Sequence, residues 1–156
     1  MATTVNNTTA NSRITIIFDA AGALDGDGPA AGTGNTESDV YVDNTFYSNI
    51  RSHTEIDANV HALQWNATTN TGEIEYTDNR ENLSISSLPQ WATNVVIRCE
   101  AENTWQTAYA ANIASQHSDE AAKETPDPNF TANTTIATNH ADTERDNYLS
   151  AHSITF

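Results

Sequence analysis

Apolar and polar residues alternate along the first half of the chain with the two-residue period that is typical of β-strands. The clearest case is RITIIFD, residues 13–19, in which Ile14, Ile16 and Phe18 share one face. Similar short runs follow and are separated by residues that favour turns. The pattern predicts strands over residues 13–19, 40–43, 58–65, 73–77 and 83–86.

The third and fourth strands are predicted to form a β-hairpin over residues 58–77. The segment between them, NATTNTG, is rich in turn-forming residues and ends in Gly72, a residue that can adopt a positive φ. Glu73 and Glu75 share one face of the fourth strand, and Ile74 lies on the other. We therefore expect the two glutamates on the wet side of an antiparallel sheet.

One long amphipathic helix is predicted over residues 88–115. Pro89 suits its first turn, where a missing N–H costs nothing, and Ser87 is placed to cap it. Apolar residues recur at spacings of three and four along this segment. The stripe runs through Trp91, Val95, Cys99, Glu102, Trp105, Tyr109 and Ile113. We interpret its aromatic residues as core rather than as a cofactor site, since large aromatic side chains are usually buried.

Both ends of the chain have compositions that do not favour a packed core. Residues 1–12 are almost all Thr, Asn and Ala, which predicts a flexible or partner-ordered arm. Near the other end, TPDPNFTANTT contains two prolines that interrupt a helix, and residues 141–150 fit a short helix. The predicted organisation is therefore an arm over residues 1–12, a core domain over residues 13–118, and a Pro-containing linker with a docking segment over residues 119–156.

These elements predict an α+β fold: a small antiparallel sheet of about five short strands packed on the long helix, with extended N- and C-terminal arms. The length of 156 residues fits one modest core. Strand edges at residues 13–19 or 40–43 are candidates for pairing with another subunit.

The charge of the chain is strongly acidic. Twenty-one Asp and Glu residues stand against six Lys and Arg residues, which gives a formal net charge of −15. Phosphates of nucleic acid and anionic lipids repel such a chain, because no basic stripe is present to release counterions. The acidic residues are scattered, so we interpret the charge as a source of solubility, suited to a salty environment where screening weakens self-repulsion.

Cys99 is the single cysteine, so the chain forms no internal disulfide and no Cys-based zinc site. Its place in the predicted helix favours a buried structural thiol. No apolar run approaches the length of a membrane span, and the first residues lack the apolar core of a signal peptide. We expect synthesis without export, in a reducing cytoplasm.

No arrangement of reactive residues in the sequence indicates catalysis. DGDG, residues 25–28, resembles the start of a calcium loop, but Pro29 and Thr36 stand where the EF-hand pattern needs an oxygen ligand and a glutamate. The five histidines occur singly, without H-x-H or H-E-x-x-H spacing. His61 lies near the two glutamates of the hairpin, but those carboxylates do not face each other across a substrate. We predict a non-enzymatic protein with no catalytic residue, cofactor or metal site.

The run from Ile56 to Ala92 carries a recognisable pattern. It reads IDANVHALQW, then GEIEY, then a polar turn, then LPQW at the start of the predicted helix. This pattern resembles a small module of bacteriophage virion structural and tail-fibre-associated proteins, notably those of marine and cyanobacterial phages. RITIIFD is similar to the strand that precedes the module in such proteins. The C-terminal run ERDNYLSAHSITF is more loosely similar to the endings of phage tail-fibre assembly proteins, from which it departs at Ser153 and in lacking a terminal Trp.

The resemblance implies a structural protein of the virion, made in the host cytoplasm and located on the tail as a fibre, baseplate or fibre-adaptor component. We expect it to form a homo-oligomer and to attach to other virion proteins through its terminal arms, with contacts at Arg13, Ile154 and Phe156. We expect no direct binding to nucleic acid and no membrane insertion. The alternatives are a tail-fibre assembly chaperone, a capsid decoration protein, or a carbohydrate-binding tip module that uses Trp65, Tyr76 and His61.

Overall fold

The computed structural model describes residues 13–18, 37–51 and 56–154 of the chain. These residues form six strands and two helices: β1 (Arg13–Phe18), β2 (Glu37–Val42), β3 (Thr45–Arg51), β4 (Val60–Asn66), β5 (Thr71–Tyr76), β6 (Leu83–Ile85), α1 (Gln90–Ala121) and α2 (Thr134–Ala151). The predicted α+β class is confirmed, with six strands rather than about five. The predicted arm over residues 1–12 and the DGDG turn lie outside the described residues.

All six strands belong to one antiparallel sheet in the order β3-β2-β1-β4-β5-β6. The predicted alternation in β1 is confirmed, because Ile14, Ile16 and Phe18 are each at most 1% exposed. Both β1 and β2 pair on their two sides, so the prediction that they offer free edges is wrong. In the part of the chain that the structure describes, the edges of the sheet are β3 and β6.

The strand β3 is not among the five strands that the sequence pattern predicts. It forms because a two-residue turn, Asp43 and Asn44, joins Val42 to Thr45 in the β2–β3 hairpin. Asp43 adopts a positive φ of 53° and exchanges hydrogen bonds with the backbone of Arg13, one of 2.7 Å and one of 3.0 Å. Asx residues tolerate this backbone conformation, which the sequence pattern alone did not single out.

Two β-bulges interrupt the regular pairing of the sheet. Between β2 and β3, Ser48 and Asn49 lie opposite the single residue Asp39. Asn49 has a φ of 54°, and its N–H donates to the Asp39 carboxylate at 3.3 Å. Between β4 and β5, a register shift leaves His61 as the extra residue. Each bulge inserts one residue and changes which side chains face the core beyond it.

The bulge at His61 explains a burial pattern that strict alternation cannot produce. Alternation places Val60 on one face of β4 and Leu63 and Trp65 on the other. All three belong to the core in the structure, since the extra residue reverses the phase between them. The predicted hairpin therefore exists, but it is shorter and contains an irregularity that a period of two does not reveal.

The first turns of α1 pack against one face of the sheet. Ala92, Val95, Val96 and Cys99 join the strand residues in one hydrophobic core. Cys99 is 1% exposed, as predicted for a buried structural thiol. At the start of the helix, the Trp91 ring lies 5.8 Å from the ring of Phe18. The predicted packing of sheet on helix is therefore confirmed for this part of α1.

The chain divides into two compact units, Met1–Cys99 and Glu100–Phe156. This division lies within α1, whereas the sequence suggested a core domain over residues 13–118. Within the second unit, the Tyr148 hydroxyl donates to Glu100 at 2.6 Å, and the Trp105 indole N–H donates to Asp142 at 2.9 Å. The residue later in α1 therefore pairs with the residue earlier in α2, which means that the two segments run antiparallel and form a helical hairpin.

The C-terminal region is not an extended arm, because α2 occupies most of it. The Asn133 side chain caps this helix by accepting hydrogen bonds from the N–H groups of Thr135 and Ile136. The cap offsets the low helix propensity of the β-branched residues that follow it. At the other end, Ser153 adopts a φ of 57° and Ile154 N–H donates to Leu149 O at 2.9 Å. This arrangement is a Schellman motif, which satisfies the last carbonyl groups of a helix.

Substituting Gly72 tests the close contact between β4 and β5. A Cβ atom at this position would lie 2.4 Å from the Gln64 carbonyl oxygen and 2.9 Å from Trp65 Cε3. We expect Gly72→Ala to lower the free energy of unfolding by about 1–3 kcal/mol, because backbone and a buried ring must shift. Urea denaturation followed by tryptophan fluorescence measures this loss. Thr71→Ala, one position earlier and exposed, serves as the control, and an equal loss in both variants contradicts the packing argument.

Candidate partner-binding surface

The Trp65 side chain is part of the core and is 7% exposed. Its ring lies across Gly72, the residue opposite on β5. A sugar ring stacks on an exposed aromatic face, and Trp65 has no such face to offer. Burial therefore removes Trp65 from the predicted ligand contact, and with it the main support for a carbohydrate-binding module.

Tyr76 belongs to a charged cluster at the base of the β4–β5 hairpin. Arg80 donates to Asp57 and Asp78 at 2.8 Å, and its guanidinium lies 4.5 Å from the centre of the Tyr76 ring. Asn59 N–H donates to Asp57 at 2.9 Å. The cluster joins the residues before β4 to those after β5.

The same contacts shift the acidities of this cluster. The Asn59 backbone N–H, followed by the Arg80 side chain, holds the pKa of Asp57 below its ordinary value. Hydrogen bonds from the Arg80 side chain are the first cause of the lowered pKa of Asp78. The two carboxylates raise the pKa of Arg80 in turn. The arrangement holds all three groups charged, which suits a structural clamp and leaves no group poised to exchange a proton near neutral pH.

His61 is the extra residue of the β4 bulge, and its ring is partly buried. Its Nδ1 atom is buried, and this atom forms no hydrogen bond within the described residues. The side chains predicted to work beside it, Trp65 and Tyr76, are occupied by the core and by Arg80. Within the described residues, no group of three or more His, Cys, Asp and Glu side chains is arranged to hold a metal ion.

The predicted assembly contacts fall in different surroundings. Arg13 is exposed at the start of β1, although the strand itself is central. Ile154 is 6% exposed, so its side chain is not available as an open docking contact. Phe156 lies outside the described residues. Within the described residues, Arg13 is therefore exposed and Ile154 is not.

The residues that carry the phage-like pattern hold the first unit together. Ile56 and Trp65 are buried in the core, Leu88 and Trp91 pack against it, and Gly72 gives Trp65 its space. The residues of the pattern thus form one hairpin and its junction with α1.

The face of the sheet opposite the core has an acidic half and an aromatic half. In the acidic half, Glu73 accepts from the Asn82 amide at 2.9 Å and Glu75 accepts from the Gln64 amide at 3.3 Å. As predicted, the two glutamates share the face opposite the buried Ile74. The acidic half is solvated, and its carboxylates are already hydrogen-bonded.

The aromatic half lies at the β3 edge. Tyr41 and Phe46 lie opposite each other on β2 and β3, with ring centres 4.8 Å apart. They are 42% and 50% exposed, respectively, which places them among the large hydrophobic residues most open to solvent in the described part of the chain. Sequence reasoning missed this pair because it did not identify β3 as a strand. The available signal was the run NTFYSNI, residues 44–50, which is rich in aromatic and β-branched residues.

Polar contacts in the second unit connect α1 to α2 and to the loop between them. Burial, followed by the hydrogen bond to Glu100, raises the pKa of the Tyr148 hydroxyl well above its ordinary value. Lys123 and the Asp127 backbone N–H lower the pKa of Glu120 and tie the end of α1 to the following loop. None of the described helices is long and apolar enough to cross a membrane.

Comparison of the chain with protein-family models, with curated proteins and with solved structures gave no match. Function is therefore inferred from the residues of this chain. The feature best suited to a function is the exposed aromatic pair beside β3, a strand that pairs on one side only within the described residues, because such surfaces can bind other proteins.

Replacing Arg80 should change the pH dependence of stability. The folded-state pKa values of Asp57 and Asp78 are below the ordinary value of 3.8, so the stability they contribute is present above about pH 4 and is lost as the pH falls through the lowered values. We expect Arg80→Met to reduce the fall in Tm between about pH 5 and pH 2. Thermal melts across this range measure the slope. Arg13→Met makes the same change in net charge, and an identical slope in both variants contradicts the role of the cluster.

Salt should stabilise the protein because it screens the repulsion within a chain of net charge −15. We expect Tm at pH 7 to rise by about 5 °C when NaCl is raised from about 0.05 M to about 0.5 M. The same increase measured near the isoelectric point, about pH 4.3, is the control, since little net charge is left to screen there. A gain of equal size at both pH values argues against electrostatic screening.

Proposed function

We propose that this protein is a non-enzymatic structural component of a bacteriophage virion, located on the tail as part of a fibre, a baseplate or a fibre adaptor. The observation that carries this proposal is the role of the phage-like pattern in the fold. Its residues form the hairpin and the sheet–helix junction, and the surface beyond them offers docking features in place of a reactive cluster.

The fold of the first unit supports a role in assembly. A compact sheet on a helix is a rigid base, and its surface beside β3, an edge strand within the described residues, carries the exposed rings of Tyr41 and Phe46. Attachment through the N-terminal residues 1–12 remains part of the proposal and rests on their composition, which suits a segment that becomes ordered on a partner.

The acidic charge is consistent with contacts to protein and not to packaged nucleic acid. A chain with six basic residues against twenty-one acidic ones has little means of neutralising phosphates. Partners are therefore proposed to be other virion proteins, including further copies of this chain.

Mass spectrometry of purified virions from the phage that encodes this chain tests the proposal. We expect the chain at a constant copy number per particle, and we expect it to remain after washing in high salt. Detection in infected-cell lysate combined with absence from purified particles overturns the structural role and supports the assembly-chaperone alternative. Comparing tail fractions with capsid fractions of disrupted particles separates a tail position from capsid decoration.

A further inference from the structure

One row of side chains joins the aromatic half of the sheet to its acidic half, on the face opposite the core, here named the outer face. Residues that lie directly opposite each other on paired strands project from the same face of a sheet. The pairing places six such residues side by side across the strands: Phe46, Tyr41, Thr15, Gln64, Glu73 and Ser84. The aromatic pair and Glu73 therefore belong to one continuous surface.

The carboxylates of the outer face are not neutralised by basic side chains of the described residues. None of the ion pairs in the part of the chain that the structure describes includes Glu73 or Glu75. Each of the two accepts one side-chain amide hydrogen bond, whereas an ionised carboxylate has sites for about four. Arg80, Lys123 and Arg145 pair with other carboxylates. The outer face is therefore complementary in charge to a basic partner.

Arginine is the basic side chain that suits both halves of the outer face. Its planar guanidinium stacks on aromatic rings and donates two parallel hydrogen bonds to a carboxylate, whereas lysine offers a compact point charge. The same chain already contains this combination, because the Arg80 guanidinium lies 4.5 Å from the centre of the Tyr76 ring and donates to Asp57 at 2.8 Å. We propose that the outer face binds an arginine-bearing segment of another virion protein. This inference rests on the proposed function, for which it names the chemistry of the partner.

The geometry of the row sets the spacing of the arginines in the partner. Tyr41 on β2 and Glu73 on β5 are separated by three strand spacings, or about 14 Å. An extended chain advances about 3.4 Å per residue, and its side chains alternate between two sides. Two arginines four positions apart therefore project from one side of an extended segment and reach the two halves together. The residues between them pass over Thr15 and Gln64, which are uncharged.

The sequence of this chain excludes a second copy as the occupant. Its six basic residues are Arg13, Arg51, Arg80, Arg98, Lys123 and Arg145, and no two of them are four positions apart. A second copy therefore lacks a segment of the required kind, and its net charge of −15 opposes the approach. The carboxylates also repel nucleic acid and anionic lipid. The occupant is therefore a different protein.

NMR titration of the ¹⁵N-labelled full chain with synthetic peptides tests the proposal. The probe is a peptide of Gly and Ser that carries two arginines four positions apart. We expect a dissociation constant below about 1 mM in about 0.05 M NaCl, with shifted amide signals concentrated in β1, β2, β4 and β5. A peptide with two lysines at the same positions should bind about threefold more weakly, because it loses the stacking on Tyr41 and Phe46. Absence of binding, or shifts spread evenly over the chain, overturns the proposal.

Two double variants separate a defined surface from the general acidity of the chain. We expect Glu73→Gln with Glu75→Gln to raise the dissociation constant of the arginine peptide at least about threefold, because its guanidinium groups lose their carboxylates. Asp119→Asn with Glu124→Gln makes the same change in net charge at exposed positions outside the sheet, and we expect it to leave binding nearly unchanged. Equal weakening in both double variants overturns the proposal. The titrations do not depend on the presence of the chain in virions, so their failure is distinguishable from failure of the virion assignment.

Discussion

The packing of the Trp65 ring across Gly72 is the contact on which the first unit most depends. Gly72 lacks a side chain, so the ring can lie against the backbone of β5 and still reach the core. Trp65 also lies opposite Ile14 of the central strand β1. One side chain therefore lies between the central strand β1 and β5, and it links β1 to the β4–β5 hairpin. The helix then covers the same core through residues in its first three turns.

This packing separates the Trp, His and Glu side chains of the β4–β5 hairpin. The two glutamates face solvent on the opposite side of β5, and the Trp65 ring is buried, so the residue types that suggest chemistry lie on different faces. Trp65 fills the core, and Gly72 leaves room for its ring. Arg80 and Asp57 fasten the same hairpin at its base through an exposed ion pair, whose contribution to stability is modest.

The sequence predicts the parts of the fold that follow a simple period. Ile14, Ile16 and Phe18 in β1 and the early helix residues around Val95 lie where the two periodicities place them. Irregular features were not predictable in this way. The extra residue at His61 and the positive φ of Asp43 depend on local backbone geometry that hydrophobic periodicity does not encode. The start of α2 depends on the Asn133 cap, while the β-branched residues after it weaken the helical signal.

The candidate surface was missed for the same reason. Phe46 is recognisable as an edge residue only once β3 is known to be a strand and to lie outside β2 in the sheet. The order of strands in the sheet depends on pairing between segments that are distant in the sequence. The hydrophobic pattern indicates only which face of the sheet a residue occupies. The aromatic and β-branched run around Phe46 was visible in the sequence, but the place of this strand at the edge of the sheet was not.

The left-handed backbone of Asn49 has a consequence for the size of any assembly. A long, flat and regular edge adds strands without limit and gives rise to fibrils. The bulge bends β3 after a few residues, so an added strand finds matching partners only near the turn. At the other side of the sheet, β6 is too short to extend a ladder far. Both edges of the sheet in the described residues are therefore poor templates for open-ended strand addition.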